Sequence, residues 1–335
     1  MRRQLIASTL VIAVAATLPM VLASSAGAIA VRGHGYRSWL RGNPDNVDVT
    51  VHSGAMLEGG AKDLREAWSW FLERAGYGDI VIICATCTKE YNPYVPNIHP
   101  VDSAQTLKIT KRIASSDPFV VNSVATADGI FFAGGDQSDY LRIWNATPVS
   151  NAINAAIARG VPIGGISAGL AISGQFYFSA YKNTVVSKRA MENCYGQKIQ
   201  LRQELIRYPA LADTITDSHF TENGRLGRLL TFMSRILTDG WAPVVRGVGV
   251  DAATAVLLGT DGQGRVIGSG NASFIRMSPS DVVTCAPATP VSTRVVRVDV
   301  LGNGQTFDFT HWTSPVPPTW AQINDGILTY PVPIP

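Results

Sequence analysis

Charge is scarce in this sequence. Only 16% of its 335 residues are Asp, Glu, Lys or Arg, and the formal net charge is +3. Outside the first 28 residues, whose only charges are Arg2 and Arg3, 26 basic residues stand against 25 acidic ones. So even a balance argues against a nucleic-acid partner, which needs a basic surface to offset phosphate. Cysteine is scarce too. Cys194 and Cys285 have no close second ligand, so no zinc site is expected, and no thioredoxin-like unit surrounds Cys84-Ala85-Thr86-Cys87. No repeat, no long charge run and, after residue 28, no apolar stretch of membrane-spanning length is present. What is abundant is apolar: 46% of the residues are hydrophobic, enough to exclude a disordered chain and to fill a substantial core.

The first 28 residues read as a secretory signal. Arg2 and Arg3 are followed by a nearly all-apolar run from Leu5 to Leu22 and by Ala26-Gly27-Ala28, a small-residue cleavage site. The expected location is secreted, extracellular or periplasmic, with no membrane attachment after cleavage. In such an oxidising compartment the four cysteines are expected to be structural thiols or two disulfides, in any of three connectivities.

Residues 49–275 alternate between two patterns. Ile80-Val81-Ile82-Ile83-Cys84, Ile130-Phe131-Phe132-Ala133 and Ile163 to Ile166 are short and continuously apolar, as strands buried on both faces of a parallel sheet are. Between them Leu64, Ala67, Trp68, Phe71, Leu72 and Ala75 recur at helical spacing, and Asn151 to Arg159 predicts a second helix. The expectation is a doubly wound α/β domain over 29–275. From 276 to 335 the pattern changes to a β-rich, Pro-rich extension. There Arg294 to Val300 and Gln305 to Phe309 flank Gly302-Asn303-Gly304 as a hairpin or two edge strands.

Two glycine-rich turns carry the chemistry. Gly165-Ile166-Ser167-Ala168-Gly169 has the form G-x-S-x-G after a strand and before a helix, a turn that lifts a serine hydroxyl clear of a sheet. The Ala168 N–H, at the start of that helix, is placed to hold an oxyanion. Gly134-Gly135-Asp136-Gln137 ends the neighbouring strand, where Gly135 supplies a second donor and Asp136 either caps a helix or meets the ligand. His219, in Thr216-Asp217-Ser218-His219-Phe220, is the candidate base. Arg225 and Arg228 open the next helix against its dipole, a placement that suits an anionic ligand.

Together these stretches, with Gly164 to Ala171, Arg225-Leu226-Gly227-Arg228-Leu229-Leu230 and Gly247-Val248-Gly249-Val250-Asp251, resemble the cyanophycinase and aspartyl-dipeptidase family of serine exopeptidases. The resemblance spans roughly residues 50–275. It implies a three-layer αβα sandwich with a mostly parallel sheet, like that of class I glutamine amidotransferases. Ser167 would be the nucleophile and His219 the general base. Gln137, Asp217, Arg225 and Arg228 would contact substrate, with Asp136 beside them. Cyanophycinases release β-aspartyl-arginine dipeptides from an arginine-bearing polyaspartate, so the expected partner is a peptide. No metal or organic cofactor is implied, and a homodimer is the expected assembly, if any.

Three positions depart from the family pattern. Gln175 stands where the third triad member, a Glu, is expected; Asn223 replaces an arginine; and Ala252 replaces a Glu. An amide in place of a triad carboxylate costs about 10⁴-fold in kcat, leaving Glu192 and Glu222 as acids able to orient His219. Two other readings follow: a catalytically impaired relative acting as an extracellular binding module, and an α/β-hydrolase esterase with His311 as base.

Overall fold

The computed structural model describes residues 29–331, so the signal reading of residues 1–28 lies outside the described part. Five parallel strands form its centre, in the spatial order Ser103–Ile109, Asp79–Cys84, Gly129–Phe132, Ile163–Ile166 and Ala55–Glu58. The short apolar runs read as buried strands are three of them, and Ile80 to Ile83 are buried on both faces. The outer strands are antiparallel. Ile29–Gly33 and Tyr36–Gly42 form a hairpin on one side, and Thr254–Leu258, Gln263–Gly268 and Thr306–Asp308 complete ten strands on the other.

A second sheet of eight strands packs against the first. Phe176–Phe178, Thr214–Asp217 and Val245–Val250 are parallel; Leu201–Gln203 edges Phe176–Phe178 antiparallel on one side, and Ala272–Met277, Val296–Leu301, Thr319–Asn324 and Ile327–Thr329 continue antiparallel on the other. The C-terminal region is therefore β-rich, but its two expected strands do not form a hairpin. Val296–Leu301 lies inside the second sheet, whereas Thr306–Asp308 edges the first. The turn at Gly302 to Gly304 thus crosses between sheets, with the Gly302 N–H held by the Gln305 side chain at 2.7 Å.

Helix faces follow the apolar spacing. Ala67, Trp68, Phe71 and Leu72 of helix Arg65–Arg74 are buried against Ile80, Ile82 and Phe131. Helix Pro148–Ala158 starts three residues earlier than its apolar pattern, because Pro148 suits a first turn and the Ser150 hydroxyl accepts the Thr147 N–H at 3.1 Å. Ile153 and Ala156 of that helix share a core with Ile130, Phe132, Val248 and Phe274, which joins the two sheets. Helix Leu226–Thr238 covers the far face of the second sheet through Leu229, Met233 and Ile236.

Two disulfides close the described chain, Cys84–Cys87 and Cys194–Cys285. The second spans a separation of 91 residues and ties the C-terminal region, just after Val282–Thr284, back to the segment between strands Phe176–Phe178 and Leu201–Gln203. A loop of that length is worth about 4.6 kcal/mol in the chain-entropy account.

At the amino end of the central sheet Asp128 accepts the Asp79 N–H at 2.8 Å. Burial, with Asp79 and Asp102 close by, pushes its carboxyl from 3.8 up to about 6. A carboxyl raised in the folded state favours folding while protonated, and that contribution is lost as pH rises through 6. Asp128→Asn keeps an acceptor oxygen without the charge. It should gain about 1 kcal/mol at pH 8 after solvent screening, or roughly 2–3 °C in Tm, and almost nothing at pH 4. Thermal melts by circular dichroism at the two pH values check this.

Candidate active site

The site lies where four strands end. Ser167 follows Ile163–Ile166 with φ 55° and ψ −110°, a backbone conformation that side-chain-bearing residues rarely adopt. Two glycines permit it. A Cβ on Gly165 would lie 2.6 Å from the Gly169 carbonyl carbon, and one on Gly169 would collide with the Phe132 carbonyl oxygen. The Ser167 N–H is tied to the Glu58 carbonyl at 3.0 Å. The Ala168 N–H begins the short helix Ala168–Ala171, in whose first turn no intrahelical acceptor exists.

His219 comes from the next sheet. It follows Thr214–Asp217, has φ 44°, and donates its N–H to the Gly59 carbonyl at 2.9 Å. Its ring rests against Gly60, where no side chain fits. The Ser167 Oγ is 3.0 Å from His219 Nε2. On the other side of the ring, Nδ1 is 3.3 Å from Glu222 Oε1, which also accepts the Ala252 N–H at 2.9 Å. Ala252, where the family pattern has a Glu, thus anchors the carboxylate through its backbone. Asn223 holds the same turn by donating to the His219 carbonyl at 3.1 Å.

Gln175 is not beside His219. Its Oε1 accepts the Asp213 N–H at 2.7 Å, and Asp213 precedes Thr214–Asp217 while His219 follows it. The expectation of a triad position at Gln175 is corrected on that ground: the residue opens its strand at the amino edge of the sheet. Glu192 pairs instead with Arg189 at 2.7 Å. His311, the base that an esterase would require, pairs with Asp308 at 2.8 Å and borders a different cavity from that of Ser167.

The arginines that oppose their helix dipole meet a carboxylate first. Arg228 makes a two-pronged pair with buried Asp217, with Nε to Oδ2 at 2.7 Å, and donates also to Thr184 Oγ1 and the Val185 carbonyl. Arg225 donates to the Ser218 carbonyl at 2.6 Å and stands 3.4 Å from Asp217. Asp217 is thus spent on the arginines, and two guanidiniums against one carboxylate leave one positive charge on this wall. Asp136 caps its helix, accepting the Ser138 N–H at 2.8 Å, while the Gln137 amide reaches the Phe178 carbonyl at 3.4 Å. Gly135, Asp136, Gln137, Ser167, His219, Arg225 and Arg228 all border one cavity of about 270 Å³. Among the described residues no group of three or more His, Cys, Asp or Glu is arranged to hold a metal ion.

Comparison with known proteins agrees with this architecture. Residues 59–195 match the model of peptidase family S51. A cyanophycinase of Synechococcus elongatus is 27% identical over 291 residues, covering 80% of this chain and 84% of its own. One of Geminocystis herdmanii is 26% identical over 273 residues, covering 77% and 94%. The chain is similar to the peptidases of family S51. Its mixed α/β fold is also that of a solved peptidase from an acI-B1 actinobacterium. That structure has a TM-score of 0.52 at 14% identity and covers 77% of this chain and 98% of its own.

The sequence signals for Ser167, His219 and the second glycine turn lead to one place. The Gly59-Gly60 pair was overlooked, although it too follows an apolar strand, Ala55–Glu58, and lies against the histidine. Arg228 is buried with Asp217 as its only carboxylate partner among the described residues. Asp217→Asn should therefore destabilise the fold by about 3 kcal/mol, seen as a lower urea midpoint with an unchanged slope.

Proposed function

We propose that this chain is an exported exopeptidase of the S51 type that cleaves aspartyl-linked peptides of the β-Asp-Arg type. The observation that carries the reading is the 3.0 Å contact between His219 Nε2 and the hydroxyl of Ser167 at its strained turn. Ser167 Oγ attacks the amide carbon while His219 takes its proton and then returns it to the leaving amine. Glu222, on Nδ1, orients the ring and steadies the imidazolium. With that carboxylate in reach, Gln175 gives no reason to regard the chain as a catalytically impaired binding module. The Arg225 and Arg228 guanidiniums bordering the cavity suit the carboxylate of an aspartyl residue. Export is supported by the signal-like first 28 residues and by two disulfides, which persist in oxidising compartments.

The oxyanion donors in this reading are the Ala168 and Gly135 N–H groups. Tyr140 fixes the second. Its buried hydroxyl lies 2.7 Å from the Gly134 carbonyl and 2.8 Å from the Ala133 carbonyl, and burial raises its pKa above the ordinary 10.0, keeping it a donor. In a trans peptide the C=O and the following N–H point opposite ways. Drawing the Gly134 carbonyl inward to Tyr140 therefore turns the Gly135 N–H outward. Gly134 itself lies over the nucleophile: a Cβ there would be 3.7 Å from Ser167 Cβ.

The test is hydrolysis of arginine-bearing polyaspartate and of α- and β-aspartyl peptides, read by mass spectrometry. Product from the wild type and none from Ser167→Ala is expected; product from Ser167→Ala would overturn the mechanism, and cleavage of other peptides alone would overturn the substrate class. Glu222→Gln should lower kcat by about 10²-fold, less than a fully buried triad acid because Glu222 is partly exposed, whereas Gln175→Ala should stay within about twofold of wild type. Tyr140→Phe should reduce kcat by roughly 10- to 100-fold with little change in KM. Binding of a peptide aldehyde, which needs the oxyanion donors, should weaken in parallel.

A further inference from the structure

The second sheet carries an arrangement that catalysis does not use. Arg246 on Val245–Val250 stands directly opposite Arg276 on Ala272–Met277. One step beyond the last pair of the next ladder, Ile275 with Val298, Arg276 faces Arg297, which in turn is opposite Trp320. Three arginines thus cross three adjacent strands in one row, about 4.8 Å apart from strand to strand. Like charges directly opposite each other destabilise a sheet. Arg297 is answered by Asp299, at 2.8 and 2.7 Å. Arg246 and Arg276 have no carboxylate partner among the described residues.

Beside this row is a cavity of about 390 Å³ bordered by Arg276, Arg297, Asp281, Asp299 and Trp312. Arg246 stacks over the Trp312 ring at 5.0 Å. Trp312 is only 7% exposed, its indole N–H finds no acceptor among the described residues, and its φ of 58° is unusual for a bulky side chain. An orphaned buried donor, an unanswered guanidinium and a held backbone outlier meet at one cavity.

We propose that this cavity is a second binding site, taking the carboxylate of a zwitterionic amino acid or dipeptide. The carboxylate would accept from the Arg276 guanidinium and from the Trp312 indole N–H. Asp281, which spends one oxygen on the Ser278 N–H and hydroxyl at 2.7 and 2.8 Å, meets the ligand's ammonium group with the other. The same acid repels a ligand that carries only negative charge, so a dicarboxylate or phosphate is a poorer match. The site is remote from the serine. Arg246 is the second residue of the strand whose far end, Val250, accepts the Phe220 N–H beside His219 at 3.2 Å, roughly 13 Å along the strand.

The full mature chain, labelled with ¹⁵N, tests the proposal through the Trp312 indole signal, identified by its loss in Trp312→Phe. L-Aspartate should shift that signal to saturation, and succinate and inorganic phosphate should do so less well. Arg276→Ala, at an exposed position, should weaken the aspartate response about tenfold and leave peptidase activity unchanged. Its remaining indole signals report that it is folded. A Trp312 signal unmoved by every probe, or one that responds equally in Arg276→Ala, overturns the site. A stronger response to succinate or phosphate overturns the zwitterion assignment and makes the cavity a general anion site.

Discussion

The tight turn at Ser167 is the constraint on which the other parts of the site depend. It exists because Gly165 and Gly169 let two backbone segments touch where any Cβ would collide. A residue forced to φ 55° costs on the order of 1–3 kcal/mol unless its surroundings hold it. Here they do so from two directions: the Glu58 carbonyl takes the Ser167 N–H, and the Phe132 carbonyl packs on Gly169. Each of those groups ends a neighbouring parallel strand. Ser167 is therefore positioned by the sheet itself, and a site so built loses little to side-chain flexibility.

The histidine is fixed by different means. It arrives from the second sheet and meets the backbone of the first, with its N–H on the Gly59 carbonyl and its ring on Gly60. The buried Asp217–Arg228 pair sits just before it and holds the end of its strand to the start of helix Leu226–Thr238. That gives Asp217 and Arg228 a structural role whatever else they do. It also explains why two arginines tolerate the positive end of a helix dipole: a carboxylate already lies between them.

What was legible in the sequence were local features with a local cause. Continuous apolar runs mark strands covered on both faces, and the G-x-S-x-G turn demands its glycines whatever surrounds it. Less legible were features fixed by how distant segments meet. Nothing between Arg294 and Phe309 indicates that its two strands join different sheets, because either arrangement buries Val298 and Phe307 equally well. Gln175 was expected near His219 from its distance along the chain after Ser167. The fold instead puts the whole length of strand Thr214–Asp217 between them.

The acid next to His219 shows how a family pattern can change without its chemistry changing. A carboxylate three residues after the histidine, in an irregular turn, reaches Nδ1 as well as one from a distant helix, provided that something holds it there. The Ala252 N–H does so, and a backbone donor is indifferent to the side chain that replaced Glu at that position. The Asn223 amide closes the turn from within. The departures at 223 and 252 thus belong to the same small structure as Glu222, and Gln175, free of any part in it, was able to become a strand-end acceptor for Asp213. Two of the three differences, at 223 and 252, thus lie in the turn that supports His219, and the third lies at the far end of strand Thr214–Asp217.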